Sequence, residues 1–182
     1  HAVPQDLHLV CDLGDLVKAM GDVDECHALR TKPPDESEQD FAVRVATALD
    51  RTTLPIQGPP GAGKTYVGAR MILALVGAGK KVGVTATSHK VIRNLLDEVI
   101  AQAAASCQSV KVGQKPADLS DQPGPIVEFD DNRAAFDAIT RGEVNVLGGT
   151  AFMWAREEFA QTLDVLVVDE AGQVSLDRKS VV

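Results

Sequence analysis

The residues with the most recognisable chemistry form one loop, Gly58-Pro59-Pro60-Gly61-Ala62-Gly63-Lys64-Thr65. This run fills every fixed position of the phosphate-binding pattern G-x-x-x-x-G-K-[ST]. Glycines let successive backbone N–H groups turn toward a phosphate, and the helix that follows adds the positive end of its dipole. In such a loop Lys64 reaches the β- and γ-phosphates, and the Thr65 hydroxyl ligates Mg²⁺. We therefore predict that the loop, with Tyr66 after it, binds ATP and Mg²⁺ rather than forming a plain glycine-rich turn.

A pair of acids supplies the second half of such a site. Asp169 and Glu170 follow the apolar run Val165-Leu166-Val167-Val168. A buried strand would deliver them at its carboxyl end, where the ligands of open α/β sheets bind. There Asp169 would hold Mg²⁺, and Glu170 would polarise an attacking water. A strand that only ends in exposed acids is the alternative. The loop upstream favours an NTP hydrolase, because a small-molecule kinase would not need the water-activating glutamate.

Strands and helices must alternate along the chain to bring these residues together. Apolar runs predict short buried strands at 53–57, 81–86, 109–112, 144–147 and 163–168. Helical patterns predict helices between them, at 37–50, 64–76, 89–105 and 132–141. Ser88 is placed to be the N-cap of the third helix. This alternation predicts an α/β fold, with a parallel sheet flanked by helices on both faces.

The chain divides into three parts. Residues 1–36 hold a possible helix at 13–20 and the break Lys32-Pro33-Pro34, which indicates the tail of an upstream region and a linker. Residues 37–176 form the α/β domain. The last six residues differ abruptly in character and match the translation of a widely used sequencing-library adapter up to its stop codon: Asp177-Arg178-Lys179-Ser180-Val181-Val182. We expect 177–182 to be a non-native tail that cuts the domain short, with a natural polar tail as the alternative.

Composition excludes several classes of protein. The 182 residues are 45% hydrophobic and 24% charged, as in ordinary globular domains. No apolar run approaches the ~20 residues of a membrane span. Three scattered cysteines, Cys11, Cys26 and Cys107, form neither a disulfide framework nor a metal motif. The net charge of −8 comes mostly from residues 1–40, which hold ten acids and three bases, so a nucleic-acid partner stays open. We predict a cytoplasmic protein with no membrane partner.

The segments IQGPPGAGKT, VTATSHKVIRNLL, VLGGT and VVDEAGQ follow one another in this order, with Lys64 and Asp169 105 residues apart. In this combination residues 37–176 resemble superfamily 1B helicases, typified by the nonsense-mediated-decay RNA helicase and related DNA helicase–nucleases. The segments are most similar to those of microbial proteins that join a RecB-like nuclease to such a helicase. The resemblance implies an incomplete first RecA-like motor domain of the P-loop NTPase class. Its partners would be single-stranded nucleic acid, DNA favoured over RNA, and a second RecA-like domain of the same full-length chain.

Two glutamines gain roles from this resemblance. Gln39 would be the family's adenine-reading glutamine, with a solvent-facing residue at a helix start as the alternative. Gln173 would sense the γ-phosphate and couple it to the second domain. The family places its arginine finger in that second domain, outside this chain. We therefore expect weak Mg·ATP binding, very slow turnover and no unwinding by these 182 residues alone.

Four further residues match family segments that contact the nucleic-acid backbone, namely Thr85, Ser88, His89 and Thr150. Small hydroxyl residues and backbone N–H groups at strand ends suit phosphate contact without sequence readout. His89 departs from the family, in which many relatives carry asparagine. Ser88 is equally a helix cap, and Thr150 equally a strand-end residue. We expect Tyr66, Phe152 and Trp154 to pack within the protein rather than to stack on bases.

Two other functions are compatible with the nucleotide motifs. A ring-forming AAA-type ATPase that remodels proteins also favours GPPG-x-GKT and a terminal Asp-Glu pair. Such an enzyme usually places the acids nearer the loop and does not account for DEAGQ. A nucleotide-dependent binding module without turnover is the non-enzymatic alternative. The joint presence of Lys64, Thr65, Asp169 and Glu170 argues against it.

Overall fold

The computed structural model describes residues 5–10, 32–58, 61–121 and 124–171, and its strands join in one sheet. The strands are β1 Gln5–Val10, β2 Thr53–Gly58, β3 Val82–Thr85, β4 Val112–Gln114, β5 Ile126–Glu128, β6 Val146–Gly148 and β7 Val165–Val168. The helices are α1 Glu38–Thr47, α2 Lys64–Gly77, α3 His89–Ala105, α4 Asn132–Arg141 and the short α5 Ala151–Trp154, followed by a 3₁₀ turn at Glu157–Phe159. The predicted α/β fold is confirmed.

The sheet is parallel over most of its width. Five strands pair in parallel in the order β7-β3-β6-β4-β5. β1 lies between β2 and β7 and runs antiparallel to both. β2 and β7 therefore point the same way, and their carboxyl ends lie at one edge of the sheet. β1 is not among the predicted strands, because its polar–apolar alternation over Asp6-Leu7-His8-Leu9 is too short to stand out in an acidic segment.

Helices cover both faces of the sheet. On one face, buried residues of α1, α2 and α3 pack with β3, β4, β6 and β7, and Ile72 and Leu95 are fully buried there. On the other face α4 packs through Ile139 with the region around Phe159. Val146 and Leu147 are neighbours on β6, yet they belong to different clusters, because successive side chains of a strand point to opposite faces.

Helix bounds follow the sequence pattern closely, whereas two strands differ from it. α1, α2, α3 and α4 lie within the predicted ranges to within three residues. β4 begins at Val112 and not at the predicted residue 109. Cys107, with φ 54°, turns the chain at the end of α3, and the residues that follow it connect this turn to the strand. β5 is not predicted, since it has only three residues. Among the described helices, none combines the length and the apolarity that crossing a bilayer requires.

Candidate nucleotide site and adjoining cavity

The phosphate loop has the backbone geometry that its glycines suggest. β2 ends at Gly58, and α2 begins at Lys64. Gly61 and Gly63 have φ of 79° and 78°, in the left-handed region that residues with a Cβ rarely adopt. Gly63 is the N-cap of α2, and no side chain caps it. The backbone N–H groups at this helix end are therefore unclaimed by a cap and suit an anion.

The acid pair lies at the carboxyl end of β7, beside β3. The N–H of Asp169 donates to the carbonyl of Thr85 at 2.8 Å, which continues the ladder between the two strands. Burial raises the pKa of the Asp169 carboxyl, and the charge of Glu170 adds to this. The N–H of Glu170, 2.9 Å from Asp169 Oδ1, and the charge of Lys64 act in the opposite direction. The loop lysine and the strand acid, 105 residues apart in sequence, thus interact electrostatically.

Glu170 is held by a residue that the sequence interpretation overlooks. The hydroxyl of Thr87 donates to Glu170 Oε2 at 3.0 Å. Glu170 itself has φ 54°, a left-handed conformation that costs a non-glycine residue energy and is enriched at functional sites. Thr87 belongs to the TATSHK segment, so its position after β3 is the signal that could have identified it.

The residues present fit a magnesium nucleotide. Asp169 is a partly buried carboxylate, and Thr65 presents an exposed hydroxyl-bearing side chain in the first turn of α2. Mg²⁺ is usually bound by one or two protein groups together with substrate phosphates and water. The described part of the chain holds no cluster of three or more His, Cys, Asp or Glu side chains. A cation held by Asp169 and Thr65 would therefore take its remaining ligands from phosphate and water.

Gln39 lies at the exposed start of α1 and is bound to the phosphate-loop helix. Its Oε1 accepts a hydrogen bond of 2.9 Å from Arg70 Nη1, and the carboxylate of Asp40 accepts another of 2.9 Å from Nη2. Arg70 thereby joins α1 to α2, and it leaves the amide N–H groups of Gln39 as the part that could read a base. No sequence pattern marks Arg70 for this contact.

Some of the predicted site residues are exposed, and others lie outside the described part of the chain. Ala62 is exposed in the loop. The expectation that Tyr66 packs within the protein is wrong, because its side chain is 39% exposed on α2. Pro59, Pro60 and Gln173 lie outside the described residues, as do the possible helix at 13–20 and the tail 177–182.

The four candidate nucleic-acid residues do not share one environment. Thr85 is 4% exposed, and its hydroxyl is buried and has no hydrogen-bond partner in the described structure, so it does not reach the surface. Ser88 caps α3, accepting from the N–H of Val91 at 3.3 Å. His89 and Thr150 together line a cavity of about 250 Å³. The structure thus brings two of the four together.

One of the two aromatic residues of α5 is packed within the protein, and the other is exposed. Trp154 packs inward as expected, with its ring edge-on to Phe159 and its N–H donating to the carbonyls of Val84 and Gly149. The expectation that Phe152 also packs is wrong, since its side chain is 79% exposed. On this single helical turn Met153 is directed into the core, so the preceding residue lies on the outer side.

Comparison with known proteins identifies the domain type. A family model described as an AAA domain matches residues 35–180, which is most of the chain. No curated protein and no solved structure matches the sequence. The matched region contains the phosphate loop, the acid pair and all the strands between them. The chain therefore belongs to the AAA domain family, a family of P-loop NTPases.

Proposed function

We propose that this chain is the ATP-binding and ATP-hydrolysing part of a motor that acts on single-stranded nucleic acid, as in superfamily 1B helicases. The observation that carries the proposal is the meeting of the loop and the acids at one edge of the sheet. There burial raises the pKa of Asp169, and the charge of Lys64, 105 residues away in sequence, acts against this rise. Resemblance of the segments between them supports a helicase in particular.

Each residue has a role in hydrolysis. The backbone N–H groups before α2 and the ammonium of Lys64 bind the phosphates and offset their charge. Thr65 and Asp169 would hold Mg²⁺, which would neutralise phosphate charge. Glu170 accepts a proton from the attacking water, and Thr87 fixes one oxygen of that carboxylate at 3.0 Å.

Contact with the strand is assigned to the neighbouring cavity. Thr87, which binds Glu170, is two residues before His89 on the cavity wall. A nucleic-acid strand that moves within the cavity would therefore shift His89. The short turn between His89 and Thr87 would pass this shift on to Glu170. This proximity supports coupling between hydrolysis and nucleic-acid binding, and DNA is the favoured strand by resemblance.

Fluorescent ATP binding and single-turnover hydrolysis test the proposal. The chain should bind Mg·ATP weakly, Lys64→Ala should abolish binding, and Glu170→Gln should bind but not hydrolyse. Equal binding by the unchanged chain and Lys64→Ala would overturn the nucleotide site. ATP binding by the unchanged chain without any hydrolysis would indicate a binding module instead, and equal hydrolysis by Glu170→Gln would overturn the role of Glu170. Nucleotide affinity that responds to a protein substrate but not to a single strand would favour a ring-forming remodelling ATPase.

A further inference from the structure

We propose that the cavity beside His89 holds one base of a bound single strand, stacked on the exposed ring of Phe152, with the adjoining phosphates contacting Lys115 and Arg156. This inference rests on the proposed function and specifies which residues take the strand. Phe152, Lys115 and Arg156 join His89 and Thr150 in the lining of the 250 Å³ cavity.

The cavity is assembled from the carboxyl ends of three neighbouring strands. β3, β6 and β4 are adjacent and parallel in the sheet. His89 follows β3, Lys115 follows β4 directly, and Thr150 follows β6. Their side chains therefore gather at the same edge of the sheet as the phosphate loop and the acid pair. This edge is where open α/β sheets bind their ligands.

Phe152 offers a stacking surface on a firmly held turn. Its side chain is 79% exposed, the most exposed of the large hydrophobic residues described. The turn that carries it is fixed from below, because Met153 is 3% exposed and Trp154 hydrogen-bonds to Val84 and Gly149. The backbone that carries the ring therefore loses little freedom when a base stacks on the ring. Base–aromatic stacking tolerates any base, because every base has a π-face.

The charge of the wall suits a phosphate backbone. Lys115 and Arg156 line the cavity, and no carboxylate does so among the described residues. Lys115 donates to the carbonyl of Pro116 at 2.8 Å and retains two further N–H groups. Arg156 pairs through Nε with Glu158 at 2.8 Å, and its side chain remains 51% exposed. Both cations can therefore bind an anion that approaches from solvent.

The size of the cavity favours one unit of a polymer over a free ligand. Pockets that enclose a small molecule measure roughly 300–1,000 Å³. At about 250 Å³ this cavity is smaller, and it opens beside the exposed ring. A single base fits, whereas the sugar and phosphates of its neighbours would remain outside. His89 lines the cavity, and its Nδ1 is buried without a hydrogen bond in the described structure. This polar atom is therefore available to the base.

Binding of an oligothymidine that carries one 2-aminopurine tests the inference, because stacking quenches this base. We measure affinity by anisotropy and stacking by fluorescence at several salt concentrations. Phe152→Ala should weaken binding about 5- to 100-fold and remove the quenching, while Phe152→Trp should preserve both. Lys115→Ala should reduce the slope of log K against log salt by about 0.7, the contribution of one phosphate on a single strand. Val127→Ala, on the edge strand β5 and 53% exposed, is the matched apolar control and should change neither.

The outcomes separate this inference from the proposed function. If the chain binds the strand but Phe152→Ala binds it equally well, the base site is wrong and the proposed function stands. Weaker binding by Phe152→Ala without any quenching in the unchanged chain also overturns stacking. If nucleotide binds and no single strand does, both the base site and the nucleic-acid function fall. Should Phe152→Ala lose its fold, the other two variants decide the same questions. Phe152→Trp should keep the affinity and the quenching, and Lys115→Ala should reduce the salt slope.

Discussion

The hydroxyl of Thr87 donates a hydrogen bond of 3.0 Å to Oε2 of Glu170 and so joins the turn after β3 to the second acid after β7. The two adjacent acids consequently have different surroundings. Asp169 is partly buried, which raises its pKa although it accepts the N–H of Glu170. Glu170 has a hydroxyl partner and a left-handed backbone conformation. In the proposed function the first acid would hold the cation, and the second would orient the water.

Removing the Thr87 hydroxyl should slow hydrolysis without preventing binding. Thr87→Val keeps the shape of the side chain but loses the bond to Glu170, and a hydrogen bond to a charged group is worth ~1.5–3 kcal/mol. We expect single-turnover ATP hydrolysis to slow by about 10-fold or more, with nucleotide affinity little changed. Thr87→Ser restores the donor and should recover most of the rate. Equal losses in the serine and valine variants would argue against a positioning role.

The raised pKa of Asp169 predicts a conflict between stability and function. In the folded chain this carboxyl binds its proton more tightly than at the ordinary pKa of 3.8. The folded state therefore holds more protons between 3.8 and the folded-state pKa, and stability falls as pH rises through that window. Asp169→Asn removes the penalty, so without nucleotide it should melt above the unchanged chain at pH 7. The two melting temperatures should converge below pH 3.8.

Mg·ATP should reverse the order of the two melting temperatures, so that the unchanged chain melts above Asp169→Asn. A ligand that binds only the folded state stabilises it in proportion to RT ln(1 + [L]/Kd). Only the chain with the Asp169 carboxylate gains this fully, so Mg·ATP should raise its melting temperature and leave Asp169→Asn nearly unchanged. A lower melting temperature for Asp169→Asn at pH 7 without ligand would contradict the account of burial.

The site was predictable where a motif fixes both residue type and spacing. The phosphate loop was predictable because its motif places glycines at Gly61 and Gly63, whose left-handed conformations residues with a Cβ rarely adopt, directly before Lys64. Phe152 and Thr87 were not predictable in this way. An apolar residue on a one-turn helix has no periodicity to reveal which side faces solvent, and a bond across 83 residues of sequence depends on how β3 and β7 pair.

The fold shows the same division. Helices of ten residues or more carry enough turns for their periodicity to be read, so α1 to α4 follow the prediction. Strands of three residues do not, and both β4 and β5 depend on their neighbours for definition. β4 passes under Phe129, where a Cβ on Gly113 would lie 2.6 Å from the ring. This close approach depends on tertiary packing, which the local sequence does not reveal.

An ion pair near the far edge of the sheet should make the fold sensitive to acid. Glu128 accepts from the backbone N–H and the hydroxyl of Ser120, each at 2.7 Å, and from Arg93 at 2.6 Å. These bonds, those of Ser120 first, hold the pKa of Glu128 below its usual 4.5. Its contribution to stability is therefore present above pH 4.5 and is lost as pH falls through the lower folded-state value.

Glu128→Gln should cost ~1–3 kcal/mol of unfolding free energy at pH 7, because it leaves charged and polar donors without their full acceptor. Asp97→Asn removes the other, exposed partner of Arg93 and should cost less than ~0.5 kcal/mol. Urea unfolding at pH 7 and pH 3 measures both variants. The Glu128→Gln deficit should shrink at pH 3, and a constant deficit would assign its effect to packing alone.

Two glycines at opposite ends of α2 should respond in opposite ways to alanine. Gly63 has φ 78°, so a Cβ there strains the backbone by ~1–2 kcal/mol although no atom lies within 4 Å of it. Gly77 ends the same helix without a positive φ and also has open space around its Cβ position, so Gly77→Ala should stabilise the chain by ~0.4–1 kcal/mol. Gly63→Ala should in addition weaken ATP binding, because the strain acts on the amide groups that face the phosphates, while Gly77→Ala should leave binding unchanged. Denaturant unfolding and fluorescent ATP titration measure the pair. If Gly63→Ala were stable and bound ATP normally, the left-handed conformation of the loop would not be required for the site.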